Sequence, residues 1–237
     1  MRSKLNMCGS AKLNIYGDRL LPTTGVHGGN ISSQRVDTLD KSSLRFAEQL
    51  CNDRRSPLAI DIGGGNAAHS KRLARLGADV ILIDLTDQSA NVTAFNREIG
   101  RNAILFFQGD IRAYKFTSIN KKVDLIYSQR MLSCIPYEDF KLLLRQLFDF
   151  SAEGARCFLS AGGLDTEVGT DYPDRHLPVN ERWSMLSAEM AAKHQIYAPE
   201  CLYREKELVD IVAESGFFVL QSWKSLFGTP KIIAERK

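Results

Sequence analysis

The chain has 237 residues, of which 44% are hydrophobic and 25% are charged, and its formal net charge at pH 7 is +3. This length suits one α/β domain, or one domain with a small insert, and the composition excludes a disordered or fibrous protein. The basic residues are scattered and form no long run, so a nucleic-acid partner is not expected.

Five cysteines occur, and their spacing fits neither a disulfide framework nor a zinc site. We therefore expect free cysteines, no metal and a reducing, cytoplasmic compartment. Residues 1–20 lack the apolar core of a signal peptide, and no stretch approaches the length of a transmembrane helix. A membrane partner is therefore not expected either.

Alternating helices and strands are predicted from residue 40 onwards. Asp40 is positioned to cap the first turn of a helix over 40–50. The predicted strands cover residues 58–62, 80–84, 104–107, 123–127, 155–160, 217–223 and 231–235. The remaining helices are predicted over residues 67–76, 88–99, 138–150, 181–193 and 204–215. Because the first five strands are apolar and alternate with helices, we expect a parallel sheet covered on both faces.

Three parts of the chain depart from this alternation. The link between the last two predicted strands is too short for a crossover helix, so these strands should pair antiparallel. Residues 161–203 form a longer polar stretch, which we interpret as an insert that covers the substrate. Residues 1–39 show little periodicity, and with Tyr16 and His27 they form either a lid over the cofactor or a mobile tail. The catalytic domain is thus predicted over 40–237.

A glycine-rich turn follows the first predicted strand, in the sequence Asp61-Ile62-Gly63-Gly64-Gly65-Asn66-Ala67. Glycines there let the backbone approach a ligand and adopt positive φ, and the next helix would offer unpaired N–H groups. Asp84, about 20 residues further on, ends the second strand, where a carboxylate can accept hydrogen bonds from two ribose hydroxyls. This combination predicts a nucleotide-type cofactor at the carboxyl edge of the sheet.

Three features distinguish between two cofactor families that share this arrangement. Asp61 gives an Asp-x-Gly-x-Gly pattern, whereas dinucleotide-binding folds usually place a glycine earlier in the turn. The segment Gln108-Gly109-Asp110-Ile111 follows the third strand, where an acid can accept from an adenine amino group and the next N–H can donate to the ring. The third feature is the closing pair of strands. On these features, residues 40–160 and 204–237 resemble the class I S-adenosylmethionine-dependent methyltransferases.

The resemblance implies an α/β fold, namely a three-layer α/β/α sandwich of Rossmann-like type with strand order 3-2-1-4-5-7-6 and an antiparallel last strand. It implies S-adenosylmethionine as cofactor and S-adenosylhomocysteine as product. The glycines would line the methionine moiety with Asp61 near its amino group, Asp84 would hold the ribose, and Asp110 would face the adenine. The full set of implied cofactor-binding residues is Asp61, Gly63, Gly64, Gly65, Asp84, Leu85, Asp110, Ile111, Ser128 and Gln129.

Other interpretations of the same residues remain open. Asp84 could be a helix cap, Asp110 a turn residue, and the glycines a tight turn without a ligand. Ala67 stands where a third glycine is common, which reduces the freedom of the backbone. A nicotinamide-dependent oxidoreductase and a non-catalytic S-adenosylmethionine-binding module are the competing functions.

The methyl acceptor is not indicated by any motif. Tyr127-Ser128-Gln129-Arg130 differs from the Asn-Pro-Pro-Tyr type of amino-methylating enzymes, and Cys134 lacks the Pro-Cys context of cytosine-carbon enzymes. We interpret Cys134 as a buried structural residue and expect a small-molecule or modest peptide acceptor. His176 and His194, both in the insert, are the candidate bases because imidazole titrates near neutral pH.

Overall fold

The computed structural model describes residues 36–53 and 56–237. The helices of this part of the chain are α1 (Thr38–Asn52), α2 (Ala68–Leu76), α3 (Ser89–Glu98), α4 (Tyr137–Phe150), α5 (Ala188–His194) and α6 (Glu205–Glu214). Its strands are β1 (Leu58–Ile62), β2 (Asp79–Asp84), β3 (Ile104–Gln108), β4 (Val123–Gln129), β5 (Ser151–Ser160), β6 (Phe218–Lys224) and β7 (Pro230–Glu235). The hypothesis of a lid with Tyr16 and His27 concerns residues that lie outside these ranges.

The strands form one seven-stranded sheet in the order β3-β2-β1-β4-β5-β7-β6. The first five strands are parallel, whereas β7 pairs antiparallel with both β5 and β6. The predicted fold class, strand order and antiparallel closing pair are therefore confirmed. Because parallel strands end at the same edge, the carboxyl ends of β1, β2 and β3 lie side by side.

Two apolar cores cover the two faces of this sheet. Alternate residues of a strand point to opposite faces, and in β1 Leu58, Ile60 and Ile62 join the core that contains α4 and α6. Ala59 belongs to the opposite core, with residues of α1, α2 and α3. Asp61 follows Ala59 on that second face and is buried, although its position in the pattern calls for an apolar side chain.

The first helix begins earlier than predicted, and its cap is a different residue. Asp37, not Asp40, is the N-cap: its Oδ1 accepts hydrogen bonds from the N–H groups of Leu39 (2.7 Å) and Asp40 (3.3 Å). Asp40 Oδ2 accepts from the Asp37 N–H at 2.8 Å, which completes a capping box. The prediction for Asp40 as cap is wrong because this carboxylate, three residues later, is drawn into the protein interior.

The insert after β5 has a small core of its own, formed by Leu164, Tyr172, Leu186, Met190, Ala191 and Leu202. The predicted helix over 181–193 is reduced to α5, because Ser187 caps a helix that starts only at Ala188. Arg182 leaves the helical path to donate to both carboxylate oxygens of Glu207 on α6, at 2.6 and 2.7 Å. The insert is therefore anchored to the sheet domain.

Among the residues of the described ranges, no helix is both long and apolar enough to span a lipid bilayer.

Candidate active site

The glycine turn is shaped by its neighbours as well as by its own flexibility. Gly63 has φ of +67°, and its N–H donates to the Ile83 carbonyl at 2.8 Å. A Cβ atom at Gly63 would lie 2.4 Å from Met131 Cγ, and one at Gly64 would lie 2.7 Å from Asp61 Oδ2. Both positions therefore require glycine, and the turn presents bare backbone at the carboxyl edge of the sheet.

Ala67 occupies the N-cap position of α2 with a left-handed φ of +62°, a conformation that costs alanine free energy. The alanine side chain cannot accept a hydrogen bond, so it does not cap the backbone N–H groups in the first turn of α2. The N–H of Ala68 finds Asn66 Oδ1 at 3.2 Å. Ala67, which stands where a third glycine is common, thus adopts a backbone conformation that glycine would adopt without this cost.

Asp84 joins the glycine turn to the end of β2. Its Oδ2 accepts from the Gly65 N–H and its Oδ1 from the Thr86 N–H, each at 2.8 Å. It does not cap α3, whose N-cap residue is Gln88. Each carboxylate oxygen keeps one further acceptor position, which is what two vicinal hydroxyls require. Leu85, next to it, is 61% exposed.

Asp110 lies two residues after the end of β3, at the same edge of the sheet. It caps the short 3₁₀ turn Ile111–Ala113, as the turn interpretation expects. The guanidinium of Arg112 also holds its carboxylate, and these hydrogen bonds keep the pKa of Asp110 below its ordinary value. Ile111 is buried. Arg112 was not singled out from the sequence, although an Arg two residues after a strand-end Asp was the available signal.

Asp61 lies behind the glycine turn and is almost completely buried. The Ser70 hydroxyl donates to its Oδ2 at 2.6 Å, and within the described residues its buried Oδ1 has no hydrogen-bond partner. Burial raises the pKa of the Asp61 carboxyl, and the nearby Asp84 adds to the rise. A buried acceptor left open in this way fits a ligand that brings a donor, such as an ammonium group.

Ser128 and Gln129 end β4 on the other side of β1. Ser128 is fully buried, and its hydroxyl donates to the Ile62 carbonyl at 3.0 Å. It thus holds the last residue of β1, directly before the glycine turn. The Gln129 amide donates to Asp37 Oδ2 at 2.8 Å, and Lys231 contacts the same carboxylate. Their direct contact with the cofactor stays a prediction.

A buried polar cluster behind the turn was missed by the sequence interpretation. His69 stacks on Tyr127 with ring centroids 3.7 Å apart, and its Nε2 lies 2.9 Å from Ser43 Oγ. His69 Nδ1 lies 3.2 Å from Asp40 Oδ1. Burial raises the pKa of the Asp40 carboxyl, but its contacts with His69 and the Asp37 N–H outweigh this effect and the net shift is downward.

Ser43, His69 and Asp40 have the order of contacts found in hydrolase triads. Their exposed fractions are only 0%, 5% and 2%, so no substrate can reach them. Their role is to connect α1 to α2, the helix that follows the glycine turn. The signal that was available is a lone His on the face of α2 that packs against the sheet.

The two candidate bases differ in their surroundings. His176 is exposed. His194, at the end of α5, is half-buried, and its Nε2 lies 3.3 Å from Glu167 Oε2. Burial lowers the pKa of His194, and the positive charges of Lys193 and Arg130 lower it further, while Glu167 acts against this shift. His194 is therefore a neutral imidazole at pH 7. It lies near Arg130, the residue that follows β4.

Cys134 lies between β4 and the insert, where it is half-buried rather than fully buried. Its Sγ is 3.4 Å from Glu200 Oε1. Burial raises the pKa of this thiol well above its ordinary value, and the Glu200 carboxylate raises it further. The thiol stays protonated, which agrees with its interpretation as a structural residue. No group of three or more residues suited to a metal occurs within residues 36–53 and 56–237.

Comparison with known proteins shows which family model and which solved structures the chain is similar to. Residues 59–154 match a family model described as a methyltransferase domain, and no curated protein sequence matches the chain. An S-adenosylmethionine-dependent methyltransferase from Clostridium acetobutylicum has a similar structure, with a TM-score of 0.60 at 13% identity over 87% of this chain and 95% of that one.

Two Burkholderia thailandensis proteins are also similar. One is an O-methyltransferase family protein (TM-score 0.56, 14% identity), of which this chain spans 56% while 84% of this chain is covered. The other is 1,6-didemethyltoxoflavin-N1-methyltransferase with bound 1,6-didemethyltoxoflavin and S-adenosylhomocysteine (TM-score 0.58, 12% identity, 88% of this chain and 84% of that one).

Residues 59–154 therefore match a methyltransferase domain, and the chain has the fold of the class I methyltransferases. Enzymes with this domain use S-adenosylmethionine as the methyl donor. The alternative of a nicotinamide-dependent oxidoreductase receives no support from the family match or from these structures.

Proposed function

We propose that the protein transfers a methyl group from S-adenosylmethionine to a small molecule. The observation that carries the proposal is the position of three acids at one sheet edge. Asp61, Asp84 and Asp110 lie at or near the ends of three adjacent strands, next to a turn in which Gly63 and Gly64 have no room for a Cβ atom. The Oδ1 of Asp61, which has no hydrogen-bond partner among the described residues, is an acceptor for the cofactor's ammonium group. A non-catalytic binding module would bind the cofactor in the same way, so the acceptor side distinguishes the two.

In this proposal Asp84 accepts hydrogen bonds from both ribose hydroxyls through its remaining acceptor positions. Asp110 faces the adenine amino group, and the Ile111 N–H faces the ring. Leu85 offers an exposed apolar contact beside the ribose. Ser128 and Gln129 close the other side. The sulfonium is already a good leaving group, so the chain's task is to orient the reactants and exclude water.

The insert over 161–203 is the proposed acceptor cover, and His194 within it is the proposed base. The neutral imidazole of His194 accepts the proton of the acceptor's O–H or N–H group. In the same step the acceptor's oxygen or nitrogen forms a bond to the methyl carbon, and the bond between that carbon and the cofactor's sulfur breaks. We favour His194 over His176 because it is half-buried and next to Glu167, whereas His176 is exposed.

A small acceptor agrees with the compact core of the insert and with the small molecule bound by the N1-methyltransferase named above. Modest, scattered positive charge gives no basis for a nucleic-acid acceptor. We also propose a cytoplasmic location, because the cysteines of the described residues, Cys51, Cys134, Cys157 and Cys201, are all free. Residues 36–39 lead into α1 or belong to its start and so are not part of a lid, and the proposal of a lid is kept for residues 1–35.

Two measurements test the function. Calorimetry should detect binding of S-adenosylhomocysteine and no binding of NAD; tighter binding of NAD would overturn the proposal. Asp84→Ala should weaken binding by about 1.5–3 kcal/mol, the usual value of charged hydrogen bonds. The control Asp87→Ala, an exposed acid in the same loop, should leave it unchanged. A metabolite extract with labelled S-adenosylmethionine, analysed by mass spectrometry, then identifies the acceptor; a binding module yields no labelled product.

A further inference from the structure

The side chain of Arg112 occupies the acceptor positions of Asp110. Nε of Arg112 lies 3.0 Å from both carboxylate oxygens, and its Nη2 lies 2.6 Å from Oδ2. The backbone N–H of Arg112 donates to Oδ1 at 2.9 Å. A carboxylate offers about four acceptor positions, two on each oxygen. Three N–H groups of Arg112 contact the carboxylate, and two of them, on Nε and Nη2, contact Oδ2, so this oxygen has no position left for an adenine amino group while Arg112 stays in place.

Arg112 also has a second partner on another element. Its Nη1 donates to Asp139 Oδ2 at 3.0 Å, and Asp139 lies in the first turn of α4. About half of the Arg112 side chain is exposed, and exposed ion pairs are weak because water competes for both charges. The guanidinium can therefore leave Asp110 at small cost and keep a carboxylate partner.

We propose that Arg112 closes the adenine subsite, and that cofactor binding moves its guanidinium from Asp110 to Asp139 alone. This inference rests on the proposed function, because it uses Asp110 as the residue that faces adenine. The move removes the Nε and Nη2 donors from Asp110 and leaves the backbone N–H of Arg112 on Oδ1. The adenine amino group then donates to Oδ2. Apparent affinity is reduced by the fraction of molecules in which the subsite is closed.

Binding of S-adenosylhomocysteine by calorimetry tests this competition. Arg112→Ala should bind it about two- to fivefold more tightly, because an exposed ion pair no longer opposes the adenine. The matched control is Lys115→Ala, which removes one exposed positive charge three residues away and should leave affinity unchanged. The product is used because it lacks the sulfonium charge, so a general attraction of cations by the altered surface does not mimic the result.

Asp139→Asn should have the opposite sign and weaken binding, because the displaced guanidinium loses its alternative partner. In the double variant Arg112→Ala/Asp139→Asn this loss should disappear, since the two residues act through one contact. Raising the ionic strength should tighten binding to the unaltered protein, as the exposed pair is screened, and should have less effect on Arg112→Ala.

The outcomes separate this inference from the proposed function. If Asp110→Asn weakens binding while Arg112→Ala also weakens it or leaves it unchanged, the closing role of Arg112 is wrong and Asp110 keeps its assignment. If Asp110→Asn has no effect, the adenine assignment fails and the inference fails with it. Asp110→Asn weakening binding, with Arg112→Ala tightening it and Asp139→Asn weakening it, supports both.

Discussion

The Tyr127 hydroxyl donates a hydrogen bond to Asp40 Oδ1 at 2.7 Å and so joins β4 to the first turn of α1 inside the protein. Both side chains are buried, and burial together with the Asp40 charge raises the pKa of Tyr127 well above its ordinary value. The phenol is therefore a permanent donor in this contact. The bond spans 87 residues of sequence. It connects α1, the helix that precedes β1 in the chain, to β4, the strand that pairs with β1.

Removing this donor should destabilise the fold. We expect Tyr127→Phe to lower the free energy of unfolding by about 1–3 kcal/mol, because the buried Asp40 carboxylate loses a hydrogen bond. Urea denaturation followed by circular dichroism measures the change. Tyr197→Phe is the control, since Tyr197 is 55% exposed and its loss should change little. Equal stability of the two variants would contradict a structural role for the Tyr127 hydroxyl.

Two glycines with positive φ, one of them in the glycine turn, allow backbone strain to be compared with steric clash. Gly63→Ala combines a positive φ with a clash against Met131, so we expect a loss of about 2–5 kcal/mol and of cofactor binding. Gly100→Ala has a similar φ of +71° but open space around the added Cβ atom. It should cost only about 1–2 kcal/mol and spare binding. Similar losses for both variants would show that packing against Met131 does not matter.

The protonation of Asp61 should be visible in the pH dependence of stability. Burial raises the pKa of this carboxyl above its ordinary 3.8, so the folded protein binds this proton more tightly than the unfolded chain does. Its contribution is fully present below pH 3.8 and is lost as the pH rises through the raised pKa. Asp61→Asn does not titrate, so its stability relative to the unaltered protein should increase across that range and then level off.

Denaturation at a series of pH values from 4 to 8 measures this difference, and titrations common to both proteins cancel in it. Asp87→Asn is the comparison: hydrogen bonds from Ser89 lower the pKa of this exposed acid, so its relative stability should not rise with pH. A flat difference for Asp61→Asn would mean that Asp61 is ionised at every pH tested. The same variant should also bind the cofactor more weakly, because the ammonium group would lose a charged acceptor.

The base assignment predicts a change in the rate rather than in cofactor binding. With the acceptor identified, His194→Gln should lower kcat by about a hundredfold or more, as loss of a general base does. In the unaltered enzyme the acidic limb of the profile of kcat/KM against pH should lie below pH 6.5, because the pKa of His194 in the free protein is below its ordinary value. His176→Gln should retain both rate and profile. If it alone lowers kcat, the assignment is reversed.

Severing the anchor of the insert should be costly. Arg182→Met removes the buried guanidinium that meets both oxygens of Glu207 and leaves Arg204 as a partner of this carboxylate. We therefore expect a loss somewhat below the roughly 3–5 kcal/mol that breaking a fully buried pair costs. Lys206→Met, which removes an exposed ion pair with Asp210 on the same helix as Glu207, should cost less than about 1 kcal/mol. Thermal unfolding compares the two. A small loss for Arg182→Met would show that the insert is held mainly by its apolar core.

Much of the fold follows from local patterns. The strands are continuous apolar runs, so their order of appearance and even the antiparallel pair could be predicted. That Asp61, Asp84 and Asp110 lie at one edge of the sheet could also be predicted, because the strand ends of a parallel sheet meet there. Their partners could not: Arg112 reaches Asp139 across 27 residues of sequence, and Tyr127 reaches Asp40 across 87. Such contacts depend on tertiary packing, for which spacing gives no signal.

The separate core of the insert has a consequence for local stability. Leu164, Tyr172 and Leu202 pack with one another rather than within the two cores of the sheet. A cluster of that size opens at a lower free energy than the whole domain does, so its amide hydrogens should exchange with solvent as one group, ahead of those in β1 and β4. The insert can thus open and close as a unit while Asp61, Asp84 and Asp110 keep their positions at the edge of the sheet.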